Sequence, residues 1–214
     1  MAEKCLPQLQ ACALRIALLE TTGAPDVGLT SMVVVRSFSE LATTPVYTDG
    51  TEIEEKNACD EVDVNFKAND SFKRLDFTLT LTRPDPYVTT LLSDGTLLSA
   101  SGDRVGYAYP AIGTVTDKHV SIELWAKRIL NGTLDPDYPY AHWAFPLAQN
   151  LRVGDKTFNS GNQGTVISGQ LVENTNWGDG PGNDWPVASD RVAQWIPTAT
   201  LPDVSCGYVE LVAS

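Results

Sequence analysis

The segment LDFTLTLTRPDPYVTTLLSDG, residues 75–95, joins an alternating run to a helix signal and decides the fold class. Leu75, Phe77, Leu79 and Leu81 fall on one side of an extended chain and Asp76, Thr78, Thr80 and Thr82 on the other, the period of a half-buried strand. Asp85 then precedes Pro86. A carboxylate accepts from free backbone N–H groups at a helix start, and proline suits the first helical position because an N–H there would be unpaired anyway. Gly95 is placed to close the far end in a left-handed conformation, so the spacing predicts a helix over about residues 86–93.

Outward from this segment the chain reads as short strands between turn signals. Val62, Val64 and Phe66 alternate with Asp63, Asn65 and Lys67, and the Asn69-Asp70 pair predicts a turn joining this run to the strand at 72–81 in a β-hairpin. Residues 12–18, 32–38, 120–126 and 165–172 read as further strands, and 204–212 as a returning edge strand. In the strand at 120, Val120, Ile122 and Leu124 oppose Ser121, Glu123 and Trp125. Residues 21–28 read as a turn, the stretch around Gly102 and Gly106 as glycine-punctuated, and residues 135–146 and 174–186 as ordered loops. Residues 39–60 carry Pro45, Gly50 and a charge run without clear period, and are expected to form a long acidic loop holding Asp49, Glu52, Glu54, Glu55 and Asp60 against Lys56. Loops beyond about 12–15 residues in a compact domain are usually functional or disordered.

These signals predict a mainly β chain: a sandwich or barrel of two sheets with one short flanking helix and one long loop, forming a single domain over residues 1–214. The 43% hydrophobic content of the 214 residues is enough for a sizeable core, and neither an internal repeat nor a domain linker stands out. The net charge is −12, from 27 acidic and 15 basic residues, and no cluster of Lys or Arg is dense enough to grip phosphates or anionic lipid. No apolar run approaches the roughly 20 residues that span a bilayer. Glu3, Pro7 and Arg15 make the start a poor secretory signal, and cytoplasmic production is expected. Cys5, Cys12, Cys59 and Cys206 form no C-x-x-C pair, and four reduced, mostly buried thiols are expected.

The stretch VDVNFKANDSFKRLDFTLTLTRPDPYVTTLLSDG, residues 62–95, resembles the central hairpin and helix of major tail tube proteins of long-tailed bacteriophages, especially those of actinobacteria. The resemblance is clearest over residues 45–98; VYTDGTEIEEKNACDE (46–61) is similar to the arm before that hairpin, and WGDGPGNDWP (177–186) to a less specific Gly/Trp-rich segment. It implies a β-sandwich with a flanking helix, assembled into hexameric rings that stack into a tube through which the genome leaves. Edge strands would join between subunits into a barrel lining the lumen, and the acidic arm, with Asp49, Glu52, Glu54, Glu55 and Lys56, would contact a neighbouring ring. The implied partners are further copies, a tape-measure protein, a tail terminator and distal tail proteins. The implied location is the virion tail, assembled in the host bacterial cytoplasm. Six copies of −12 give −72 per ring, a charge that would repel DNA and let it slide through without specific binding.

Chemistry-bearing motifs are weak, so no enzyme, cofactor or metal is expected. His119 and His142 are the only histidines and read as surface or packed residues; H-E-x-x-H, G-x-S-x-G and Walker A patterns do not occur. Glycines at 178, 180 and 182 approach a dinucleotide fingerprint, but Asn183 stands where its third glycine is needed. Asp179, Asn183 and Asp184 offer oxygen ligands of the kind calcium prefers, without EF-hand spacing; turn chemistry accounts for the same residues. Tyr138, Tyr140, Trp143, Trp177 and Trp185 could stack on sugars, which keeps a carbohydrate-binding β-sandwich as the alternative, with a capsid decoration protein third; packing or an interface explains them at least as well. Asn131-Gly132-Thr133 and Asn69-Asp70-Ser71 match the glycosylation pattern but carry little meaning without a secretory signal.

Deleting residues 49–58 is expected to abolish polymerisation, which electron microscopy would register as loss of stacked rings. Normal stacking without them would remove the arm's assigned role.

Overall fold

Alternation of apolar and polar residues builds most of this molecule from extended chain. In the computed structural model, which describes residues 6–203 and 207–209 apart from 27, 102–103, 157, 159, 162–163, 182–184 and 186–190, thirteen strands accompany one helix. In chain order they are β1 (Gln8–Leu18), β2 (Met32–Val35), β3 (Phe38–Thr48), β4 (Glu52–Lys56), β5 (Val62–Lys67) and β6 (Ser71–Leu81), then α1 (Pro86–Leu91). After the helix come β7 (Thr96–Ala100), β8 (Arg104–Ala108), β9 (Val120–Leu130), β10 (Thr133–Leu134), β11 (Tyr140–Val153), β12 (Thr165–Val172) and β13 (Gln194–Thr198).

One large antiparallel sheet runs in the order β2-β1-β9-β11-β12-β6-β3, with β10 added to β9 and β13 to β11; β4–β5 and β7–β8 are separate two-stranded ribbons. Leu14, Ile16, Val33, Val35, Val120 and Ile122 from one half share a core with Phe77, Leu79, Leu81, Ile167 and Leu171 from the other, and Val88, Leu91 and Leu92 of the helix join them. The expected mainly β, sandwich-like class is what forms, with one extended sheet supplying most of the core. The strand β11 serves both halves: its first part pairs with β9 and β13 and its last part with β12, across register shifts, with Asn150 at φ 53°.

The helix begins as its sequence dictates. The Asp85 carboxylate accepts from the N–H groups of Tyr87 (3.0 Å) and Val88 (3.1 Å), and Pro86 follows. It ends earlier than expected, at Leu91, and Gly95 is not left-handed. Glycine is needed there for space: a Cβ would strike the Tyr107 ring, whose hydroxyl bonds Ser93 Oγ at 2.7 Å. The Asn131-Gly132 pair, at φ 52° and 83°, is the tight turn joining β9 to β10.

Three expectations are corrected. Residues 39–60 are not a loop: β3 fills most of the first half and β4 follows. Proline at 45 and exposure along most of β3 hid the strand, because an edge position tolerates proline and imprints little burial period. Residues 62–67 and 72–81 do not pair with each other; β5 pairs with β4, and β6 with β3 and β12. Asn69-Asp70 is therefore not a hairpin turn, and Asp70 Oδ1 instead accepts from Gly50 N at 2.9 Å across the ribbon. Residues 140–146, expected as loop, are the start of β11. Of the returning edge strand, Tyr208 bridges Val33 and Val209 N donates to Met32 O at 2.8 Å, while most of 204–212 lies outside the described residues.

Leu79 is fully buried between the two halves. Leu79→Ala is expected to cost about 2–5 kcal/mol through lost burial and a residual cavity, lowering the urea midpoint; an unchanged midpoint would contradict this placement of the core.

Candidate assembly surface

The strands β3 and β6 are antiparallel partners from Phe38↔Leu81 to Thr48↔Ser71, and the ladder resumes beyond a short break from Glu52↔Lys67 to Lys56↔Val62. The break is pinned by Gly50, where a Cβ would meet the Ala68 carbonyl, and by Ala68 N donating to Thr51 O at 2.9 Å. The result is one long ribbon whose outer part stands clear of the body. Core-facing burial in β6 starts only near Arg74, and every residue of β4 and β5 is exposed.

This outer ribbon is amphipathic. Ile53, Val64 and Phe66 share one face with Glu55, while Glu52 and Glu54 lie opposite with Asn65 and Lys67. Phe66 is 58% exposed and Val62 53%, so the apolar face is uncovered among the described residues. Nearer the body, Tyr47 and Phe72 meet edge to face with centroids 5.8 Å apart, and both are exposed. Asn57 shapes the tip by accepting from Cys59 N and Glu61 N, and Lys56 pairs with Asp60 at 3.1 Å in full solvent. Residues 49–63 hold seven acids (Asp49, Glu52, Glu54, Glu55, Asp60, Glu61 and Asp63) against Lys56, so −6 of the −12 lies here. A two-stranded ribbon alone is marginal in water, and apolar side chains left on it favour a partner.

Of the five arm residues named from sequence, Glu52, Glu54, Glu55 and Lys56 come together on β4, and Asp49 lies at the break before it. The apolar face escaped the sequence reading because Val62, Val64 and Phe66 were assigned to the wrong strand partner, although their alternation was visible. Beside the ribbon, β3 offers its second edge over 11 residues; among the described residues no strand pairs there. The opposite end of the sheet, at β2, is covered by Tyr208 and Val209.

A second cluster lies on the other face of β1, β9 and β11. Arg15 grips the Glu123 carboxylate through Nε and through Nη2 (2.7 Å), and His142 Nε2 lies 2.9 Å from Glu123 Oε1. The Trp125 ring stacks on His142 at 3.9 Å, and Trp185 closes over it at 4.7 Å. Glu123 is wholly buried, which alone would raise its pKa, but the charge of Arg15 and hydrogen bonds from His142 and Arg15 bring it down to about 2. This trio is buried and ties three adjacent strands together. His119 lies beside Val120, whose partner Ala148 is six positions from His142, so the two histidines do not meet.

The aromatic residues considered for sugar stacking do not form one platform: Trp177 and Trp185 are buried together against Ala144, whereas Tyr138 is exposed and Trp143 stacks between Phe145 and Trp195. Of the calcium candidates only Asp179 is described; Gly178 and Gly180 flank it at φ 62° and 77°, and no group of three potential ligands occurs among the described residues. Cys12 is half-buried, whereas Cys59 is exposed at the ribbon tip, contrary to the expected burial; Cys5 and Cys206 lie outside the described residues. No helix among the described residues is long and apolar enough to cross a membrane.

No family model matches the chain, and no curated protein matches it. Among solved structures, a chain of the anti-feeding prophage baseplate, determined by cryo-EM with 6-fold symmetrisation, aligns over 94% of this chain and 100% of that one, with 10% identity and a TM-score of 0.29. Similarity at that level carries no inference about function.

Because the Glu123 carboxyl is held near 2 in the fold against 4.5 ordinarily, its ionisation stabilises the protein above about pH 4.5 and that contribution fades as pH falls toward 2. Urea unfolding of Glu123→Gln should be weaker than wild type at pH 7 and show a flatter acid limb; identical pH profiles would contradict the assignment.

Proposed function

We propose that this chain is a structural, non-enzymatic virion protein, the major tail tube subunit of a long-tailed bacteriophage, forming stacked hexameric rings whose lumen conducts the genome. The observation that carries the reading is the ribbon β4–β5: it projects from the body with an exposed apolar face and holds six acids against Lys56 and Lys67, a third of the net charge of the chain. A monomeric module gains nothing from such an element, whereas a subunit that polymerises covers it against the next copy. The resemblance of residues 45–98 to tail tube proteins falls on this ribbon, on β6 and on α1.

The open edge of β3 supports the same reading. A strand of 11 residues with an unpaired edge is an aggregation hazard in a monomer and a joint in a ring, where a neighbour's strand extends the sheet. The ring charge of −72 would oppose adhesion of DNA along the lumen. The tape-measure protein, tail terminator and distal tail proteins are the further partners of this reading, with assembly in the host cytoplasm.

Negative-stain electron microscopy of the purified protein across concentration and salt is expected to reveal six-fold rings or hollow tubes. Monodisperse monomers throughout, with sedimentation unchanged by removal of residues 52–67, would contradict the proposal.

A further inference from the structure

We infer that the acidic ribbon β4–β5 of one copy docks in the cleft between α1 and β8 of the next copy, a head-to-tail contact. This rests on the tube reading and adds the receiving surface. The cleft, about 330 Å³, is lined by Pro84, Pro86, Tyr107, Tyr109, Phe158 and Lys156, among others. Its walls are proline and aromatic rings, a match for Ile53, Val64 and Phe66. The Lys156 ammonium stands 5.8 Å from the Phe158 ring centroid, and Arg83 precedes Pro84 on the exposed rim. The Asp85 carboxylate in the same wall is engaged by the helix N–H groups, and Asp155 is the acid adjoining Lys156. With the apolar face seated in the cleft, Glu55 on that face and Asp60 and Glu61 at the ribbon tip are the acids brought to these cations, while Glu52 and Glu54 lie on the face turned away.

Topology requires the two halves of the contact to come from different copies. The ribbon leaves the body at Ser71, the start of β6, whereas the cleft lies past Leu81, the end of β6, where Thr165 pairs with Leu81 and also lines the cleft. Along β6 these points are about 33 Å apart at roughly 3.3 Å per residue. A donor at one end and an acceptor at the other make a heterologous interface, which repeats along an axis and does not close within a pair. Stacking of rings is the assembly such an interface drives.

The exposed thiol of Cys59 at the ribbon tip provides the test. Full-length Tyr109→Cys, and separately Phe158→Cys, each in a Cys5→Ser, Cys12→Ser, Cys206→Ser parent, are oxidised with copper–phenanthroline and run on non-reducing gels beside that parent and wild type. The contact predicts a ladder of disulfide-linked oligomers from the folded variants, because each copy then carries one donor thiol, Cys59, and one acceptor thiol, with the triple-serine parent giving dimers at most. Arg83→Glu with Lys156→Glu should slow trapping about tenfold, and Glu55→Lys with Glu61→Lys should restore it. No ladder above the triple-serine parent from either folded variant overturns the cleft as receiver. Rings seen by microscopy without a ladder would leave the tube reading standing and refute only this contact; a ladder without rings would uphold the contact and refute the hexameric tube.

Discussion

Strand length exceeds core length in this protein, and its outer architecture depends on that mismatch. The strands β3 and β6 each run 11 residues, but the buried positions of β6 are confined to Phe77, Leu79 and Leu81. Beyond them the ladder continues through the break at Gly50 and Ala68 into β4 and β5, where every residue is exposed. Backbone hydrogen bonds hold such a ribbon in shape, but burial, the larger contribution to stability, is not supplied to it by the described residues.

The body supplies the rigid frame from which the ribbon projects. Arg15, Glu123 and His142 bind β1, β9 and β11 from one face while Leu14, Ile122 and Phe145 pack on the other. Removing one partner of a buried ion pair leaves an uncompensated charge, so the three strands are held in one register. The open edge of β3, the ribbon and the cleft beside α1 all lie outside this frame.

Legibility in the sequence followed burial. Alternation in β6, β9 and β12 was readable because one face of each meets the core, and the Asp85-Pro86 start of the helix was readable because capping is local chemistry. The strand β3 was not, since its exposed residues carry no period and Pro45 argued against a strand. Partner choice was also hidden: nothing local states that Val64 faces Glu55 instead of a residue beyond Asn69-Asp70. For the assembly surface, the charge of Glu52, Glu54 and Glu55 was evident, but the apolar face that Ile53 forms with Val64 and Phe66 became visible only with the register. The second buried face was missed for a related reason, since Glu123 reads as a solvent-side residue until Arg15 and His142 are seen around it.

The most direct measurement is hydrogen–deuterium exchange of the full chain in dilute and assembled samples, followed residue by residue. Assembly through the ribbon predicts that amides of β4 and β5 exchange quickly when dilute and become strongly protected on assembly, while β9 and β11 are protected in both. Rapid exchange of β4 and β5 within assembled particles would contradict it.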